Sequence, residues 1–191
     1  MISKRENILR TLRRRGYDFV PLDFELCESQ INAFENRIGH RDYKGWFGQC
    51  HRTVEIKGGE NYADGFSLFK REKVPPHTEF DVYGIGHSST PTSFHMTRMH
   101  HPLKGAELSE IKDYPYPSVP GDALKIITSE VEKLHKQDLA AYAFSQMTIW
   151  EPAWYLRSME EIMIDMMMED EKATVLLDSI TSYACSKYTE K

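Results

Sequence analysis

Residues 139–183 constrain the fold more than any other stretch of this chain. The apolar run at 139–144 is short, continuous and followed by polar turn residues, so it reads as a buried strand. After it come Trp150-Glu151-Pro152-Ala153-Trp154 and two amphipathic helical stretches, expected at about 153–168 and 171–187, with Asp170 capping the second. A strand feeding a helix pair belongs to α/β layering rather than to a sandwich or a bundle. Just upstream, Asp122 is placed to cap a helix in which Leu124, Ile127, Val131 and Leu134 share one face.

The beginning of the chain alternates in the same way. Ser3 and Glu6 have capping-box spacing, Ile8, Leu9 and Leu12 follow on one helical face, and Gly16 offers a left-handed stop. Residues 19–24 read as a first strand, with Pro21 near its start where a missing amide is tolerable. Ile31, Phe34 and Ile38 form a second helical stripe ended by Gly39. From 39 to 100 the pattern changes. Alternating segments at 53–57, 65–69, 80–85 and 94–99, separated by Gly, Pro and Ser, predict strands and hairpins. Residues 112–121 are a proline-rich connector, and Met159, Met163, Met166 and Met167 lie at helical spacing that predicts core filler.

The 24 basic against 29 acidic residues, net −5, give no electrostatic footprint for nucleic acid. Arg10 and Arg13-Arg14-Arg15 sit at a predicted helix end, where cations favour the helix dipole. No apolar run approaches the ~20 residues that span a bilayer, and the first residues lack an apolar leader segment. Cys27, Cys50 and Cys185 are too scattered for a disulfide framework, and a cytoplasmic location is expected.

Several motifs occur in an order that resembles the uroporphyrinogen decarboxylase superfamily. Val20-Pro21-Leu22-Asp23-Phe24 is similar to the family's opening strand, and Glu79-Phe80-Asp81-Val82-Tyr83-Gly84 to its aspartate–aromatic–glycine turn. His101-Pro102-Leu103, then Asp113-Tyr114-Pro115-Tyr116-Pro117, resemble its histidine-proline-leucine segment and tyrosine-x-proline connector. Trp150 to Tyr183 is the most specific block. The superfamily also holds methyltransferases that move methyl groups from corrinoid proteins to thiols. The resemblance implies an α/β fold, a partial (β/α)8 TIM barrel with an inserted hairpin-rich region at 39–100. An eight-unit barrel takes about 250 residues, so 1–191 is expected to be one incomplete domain, the N-terminal half.

What the resemblance implies for chemistry depends on where this sequence departs from the pattern. Decarboxylases proper grip substrate carboxylates with an arginine-rich motif after the first strand. Here that place reads Asp23-Phe24-Glu25-Leu26-Cys27-Glu28-Ser29, which repels a polyanionic porphyrinogen. The methyltransferase-like branch is therefore favoured, with a small-molecule substrate and a corrinoid protein as partners. The decarboxylase-type carboxy-lyase and a non-catalytic half-barrel fragment or subunit are the alternatives. The zinc of a complete methyltransferase needs a His-x-Cys that does not occur here, so no cofactor is expected in this chain. Open barrel edges predict self-association.

Glu151, Asp23 and Asp81 are the implied catalytic residues, with Glu25, Tyr83 and Trp150 as substrate-binding neighbours. Each has a plainer reading. Glu151 fits either a barrel-mouth carboxylate or a helix N-terminal residue favoured by the dipole. Asp23 and Glu25 alternate along an extended segment and face the same way, toward either a ligand or water. Asp81 fits a hairpin turn as well as a site. His100 and His101 are adjacent, so they point to opposite sides and make a poor metal pair.

Overall fold

A computed structural model describes residues 2–55, 65–90, 93–143 and 149–187, with backbone alone at 89–90 and 93–97. In chain order the elements begin with α1 (Lys4–Leu12), α2 (Glu28–Ile38), α3 (Tyr43–Trp46) and β1 (His51–Val54). A 3-10 turn (Gly65–Leu68) precedes β2 (Glu79–Phe80), β3 (Gly86–Thr90), β4 (Ser93–His100) and α4 (Leu108–Lys112). The remainder comprises α5 (Ala123–Lys136), β5 (Ala140–Ala143), α6 (Trp150–Arg157), α7 (Met159–Met167) and α8 (Glu171–Ser186). The fold is mixed α/β. Two compact units share the chain: Met1–Glu55 with Asp122–Phe144, and Ile56–Gly121 with Ser145–Lys191.

The first unit is built on a parallel pair. β1 and β5 run side by side in the register His51↔Ala140 to Val54↔Ala143, and α5 packs on both strands. Ser3 caps α1 by accepting the Glu6 amide at 3.1 Å, and Gly39 (φ 88°) ends α2 in the left-handed conformation that only glycine adopts without strain. The expected strand at 19–24 does not form. Its backbone groups are taken by side chains instead: the amide of Asp18 and the carbonyl of Phe19 by the fully buried Asn7, each at 2.8 Å, and the carbonyl of Phe24 by Gln49 at 2.8 Å. Pro21 lacks a ladder amide, so the segment stays extended but unpaired. β5 is also less buried than expected. Leu139 and Ala140 lie in the core, but Tyr142 is 48% exposed, and Phe144 falls outside the described residues.

In the second unit, β2, β3 and β4 form an antiparallel sheet with an irregularity at Ser89/Thr90. Residues 65–69, expected as a strand, form the 3-10 turn, while residues 56–57 of another expected strand lie outside the described residues. The core gathers Tyr83, Ile85, Ile111, Leu156, Ile162, Leu176 and Ile180. His100 is buried, edge-on to Phe69, with both ring nitrogens occupied, by Ser88 Oγ at 2.9 Å and Glu72 Oε1 at 2.8 Å. His101 points elsewhere, to the Tyr155 carbonyl at 2.7 Å.

Two helical expectations need correction. The helix expected across 153–168 is interrupted at Ser158, whose backbone (φ 78°, ψ 149°) cannot continue a helix and whose hydroxyl accepts the Glu161 amide to start α7. The methionines of α7 are not core filler: Met163 is 50% and Met167 82% exposed. α4 lies just before and within the expected connector. It forms because Glu110 reaches back to the Glu107 amide at 2.9 Å, a capping arrangement at a helix start. Among the described residues the parallel strands number two, β1 and β5, fewer than half of an eight-stranded barrel.

Candidate functional site

Asp81 follows directly on β2 and is held by its own turn. Its Oδ1 accepts the amides of Tyr83 at 2.9 Å and Ile85 at 3.0 Å, an Asx-type turn closed by the Asp81 amide on the Ile85 carbonyl. With one oxygen fixed by two amides, the other faces outward and meets His87 Nε2 at 3.3 Å. The antiparallel register brings His87 back to the turn, since β3 pairs with β2 through Glu79↔His87.

Glu151 occupies the first turn of α6, as either of its sequence readings requires. Tyr155 lies one helical turn on, on the same face. Its phenol is held above the ordinary tyrosine value, first by burial and then by the negative charges of Glu151 and Asp81. Two carboxylates singled out in the sequence thus act on the same phenol through their charge. The Tyr155 carbonyl is anchored by His101, which fixes this end of α6. The Asp81–His87 carboxylate–imidazole pair can orient a ligand by hydrogen bonds and pass protons.

The other expected site residues lie in different surroundings. Asp23 and Glu25 belong to the first unit. Asp23 sits 3.4 Å from His51, the first residue of β1. Glu25 accepts from Lys44 at 2.5 Å and Tyr43 at 2.6 Å, and these bonds, Lys44 foremost, hold its carboxyl below the usual range. The two carboxylates are therefore engaged by separate partners rather than acting as a pair. Tyr83 is a core residue, 1% exposed, with its carbonyl accepting from Tyr114 and its ring edge-on to Tyr183. That placement corrects its expected contact with substrate. Trp150 opens α6 and is 37% exposed, so it remains available to a ligand.

Tyr155 and His87 were not foreseen. Tyr155 could have been found by helical spacing, four residues after Glu151. His87 required the β2–β3 register, which no local pattern announces. A cleft of about 370 Å³ lies in the same unit, lined by Lys70, Arg71, Glu72, His101, Lys104 and Glu161 among others. Its charges are largely matched within the unit, Arg71 by Glu110, Glu72 by His100, and Glu161 by Arg157.

Among the described residues no three of His, Cys, Asp or Glu converge as metal ligands would. No helix among the described residues is long and apolar enough to cross a membrane. Comparison with family models, with curated proteins and with solved structures finds no match to this chain.

Proposed function

We propose that this chain is a uroporphyrinogen decarboxylase-like protein of the methyltransferase-like kind, with β1 and β5 as neighbouring strands of a (β/α)8 barrel wall. In this reading a small-molecule thiol accepts a methyl group delivered by a corrinoid protein. The observation that carries it is Asp81, implied by the resemblance, held by its own turn with its second oxygen on His87 Nε2 at 3.3 Å, in the same unit as Glu151 at the start of α6. Methylation of a thiol releases its proton, and His87, hydrogen-bonded to Asp81 at 3.3 Å, is the base this reading assigns. Tyr155 and Glu151 orient the acceptor. Two carboxylates at the site also disfavour a polycarboxylate porphyrinogen, which supports methyl transfer over decarboxylation.

The test supplies the protein with methylcobalamin and 2-mercaptoethanol, an uncharged thiol, and follows the methyl–cobalt absorbance. The expected result is thiol-dependent demethylation that falls at least about tenfold in Tyr155→Phe and Asp81→Asn, the low end for a lost acid–base group. Absence of thiol-dependent demethylation, or variants as active as the parent, would overturn the reading.

A further inference from the structure

α7 packs against α6 and α8 through one face and leaves the other bare. Ile162 is fully buried in the core, and Asp165 turns in to Arg157. On the side turned away, Met159, Met163 and Met167 follow at i, i+4 and i+8, a stripe along the whole helix, with Ile164 and Met166 on its flanks. All five side chains are exposed. One exposed apolar residue needs no explanation, but five together on an ordered helix make the kind of patch that marks an interaction surface. Methionine suits that use, because its unbranched, polarizable side chain re-packs readily against a partner.

Charge narrows what can cover the stripe. α7 carries Glu160, Glu161 and Asp165 and no basic residue. Glu161 and Asp165 are both taken up by Arg157. Glu160 lies on the exposed side itself, three residues before Met163 and four before Ile164, and Glu169 follows the last turn. Both are exposed, and among the described residues no ion pair engages either. The negative end of the helix dipole adds to the charge beside Glu169. The patch is thus two turns of apolar side chains with a carboxylate toward each end. A second copy of α7 is a poor cover, because parallel and antiparallel pairing both set carboxylate against carboxylate. An anionic lipid surface is repelled for the same reason. A partner that brings apolar anchors and cations together satisfies the whole face.

We propose that the outer face of α7 docks a cationic amphipathic helix of another protein. The apolar side of that helix lies on Met159, Met163 and Met167, and its lysines or arginines meet Glu160 and Glu169. Recognition is then through anchors one helical turn apart, with the end charges fixing where the partner stops. None of these residues takes part in the methyl-transfer reading.

The probe is mastoparan, a cationic amphipathic peptide, compared with an analogue in which every lysine is glutamate. Fluorescence anisotropy of the labelled peptides gives the affinities, and isotope-labelled methionine methyl resonances locate the binding. At low ionic strength mastoparan is expected to bind at least about tenfold more tightly than the acidic analogue. It should shift the methyls of Met163 and Met167 and spare Met99, which packs on the core. Met163→Gln with Met167→Gln, at exposed positions and checked by circular dichroism, should weaken it at least about tenfold through lost apolar contact. Glu160→Gln with Glu169→Gln should weaken it about threefold, a difference that closes as salt is added. Equal affinity for the two peptides, or shifts confined to methionines outside α7, would overturn the proposal. So would self-association in sedimentation that Met163→Gln with Met167→Gln abolishes, which gives the face to a second copy. Binding to phosphatidylserine vesicles lost in the same variant would give it to a membrane and overturn the proposal equally.

Discussion

Arg157 donates its Nε to Asp165 Oδ2 at 2.6 Å, and the two side chains are 5% and 8% exposed. The same guanidinium donates to the carbonyls of Leu103 at 2.9 Å and Ala106 at 3.0 Å, and so joins α6, α7 and the segment leading to α4. One residue thus satisfies a buried carboxylate on α7 and two carbonyls in the segment before α4.

Removing either partner should therefore be costly. Arg157→Met leaves Asp165 as a buried unpaired charge and takes a donor from the Ala106 carbonyl, while the Leu103 carbonyl keeps the Ala106 amide, and a loss of about 3–5 kcal/mol is expected. Arg157→Lys should recover little, because an ammonium cannot span the same fork of acceptors. Urea denaturation of both variants checks this. A loss under about 1 kcal/mol for Arg157→Met would mean the pair is solvated.

Ser158 offers the opposite sign. Its φ of 78° with ψ of 149° lies in a region that suits glycine, at a strain of roughly 1–3 kcal/mol for other residues. Glycine serves at an N-cap nearly as well as serine. Ser158→Gly should thus gain about 1 kcal/mol in spite of the freer unfolded chain. Ser158→Ala keeps the strain and loses the hydroxyl cap, so it should lose stability. Thermal melting of the two variants separates them, and the account fails if both move the same way.

Acid should act on Glu110. Its hydrogen bond from Arg71, helped by the Glu107 amide, holds the carboxyl down to about 2, from an ordinary 4.5. A folded-state value below the unfolded one means that its contribution is present above about pH 4.5 and is lost as the pH falls toward 2. The urea midpoint measured from pH 6 to pH 2 should fall less steeply in Glu110→Gln than in the parent across that window. Parallel curves would exclude this origin.

Tyr155 should report on its two carboxylates. Ultraviolet titration, read as the difference between the parent and Tyr155→Phe, is expected to place the phenol above the ordinary tyrosine range. Glu151→Gln and Asp81→Asn should each bring it down, because each removes a nearby negative charge, while burial keeps it raised in part. An unmoved titration in both variants would separate Tyr155 from the carboxylates.

How much was legible in the sequence varies with how local the cause is. Helix starts at Ser3 and Asp170 and the stop at Gly39 were readable, because caps are set within a few residues. The parallel partner of β5 was not, since the pairing with β1 depends on chain far away. Residues 19–24 look like a strand in every local respect, and only the distant amides of Asn7 and Gln49 explain why they are not one. The break at Ser158 was hidden because apolar periodicity runs on across it, while the backbone turns to give Arg157 its partners. At the site, Asp81 and Glu151 could be singled out by motif. Tyr83 in the same motif could not be told from a core residue, because burial of an aromatic depends on neighbours supplied by α8.

The pairing of β1 with β5 also sets an order of events during synthesis. β1 leaves the ribosome early, yet its partner strand and the helix that covers both arrive only after the whole 56–121 segment has been made. Until then its edge is open to wrong partners, and closing so long a loop carries an entropic cost that a nascent chain meets late. A factor that shields open strand edges would find its longest window at His51–Val54.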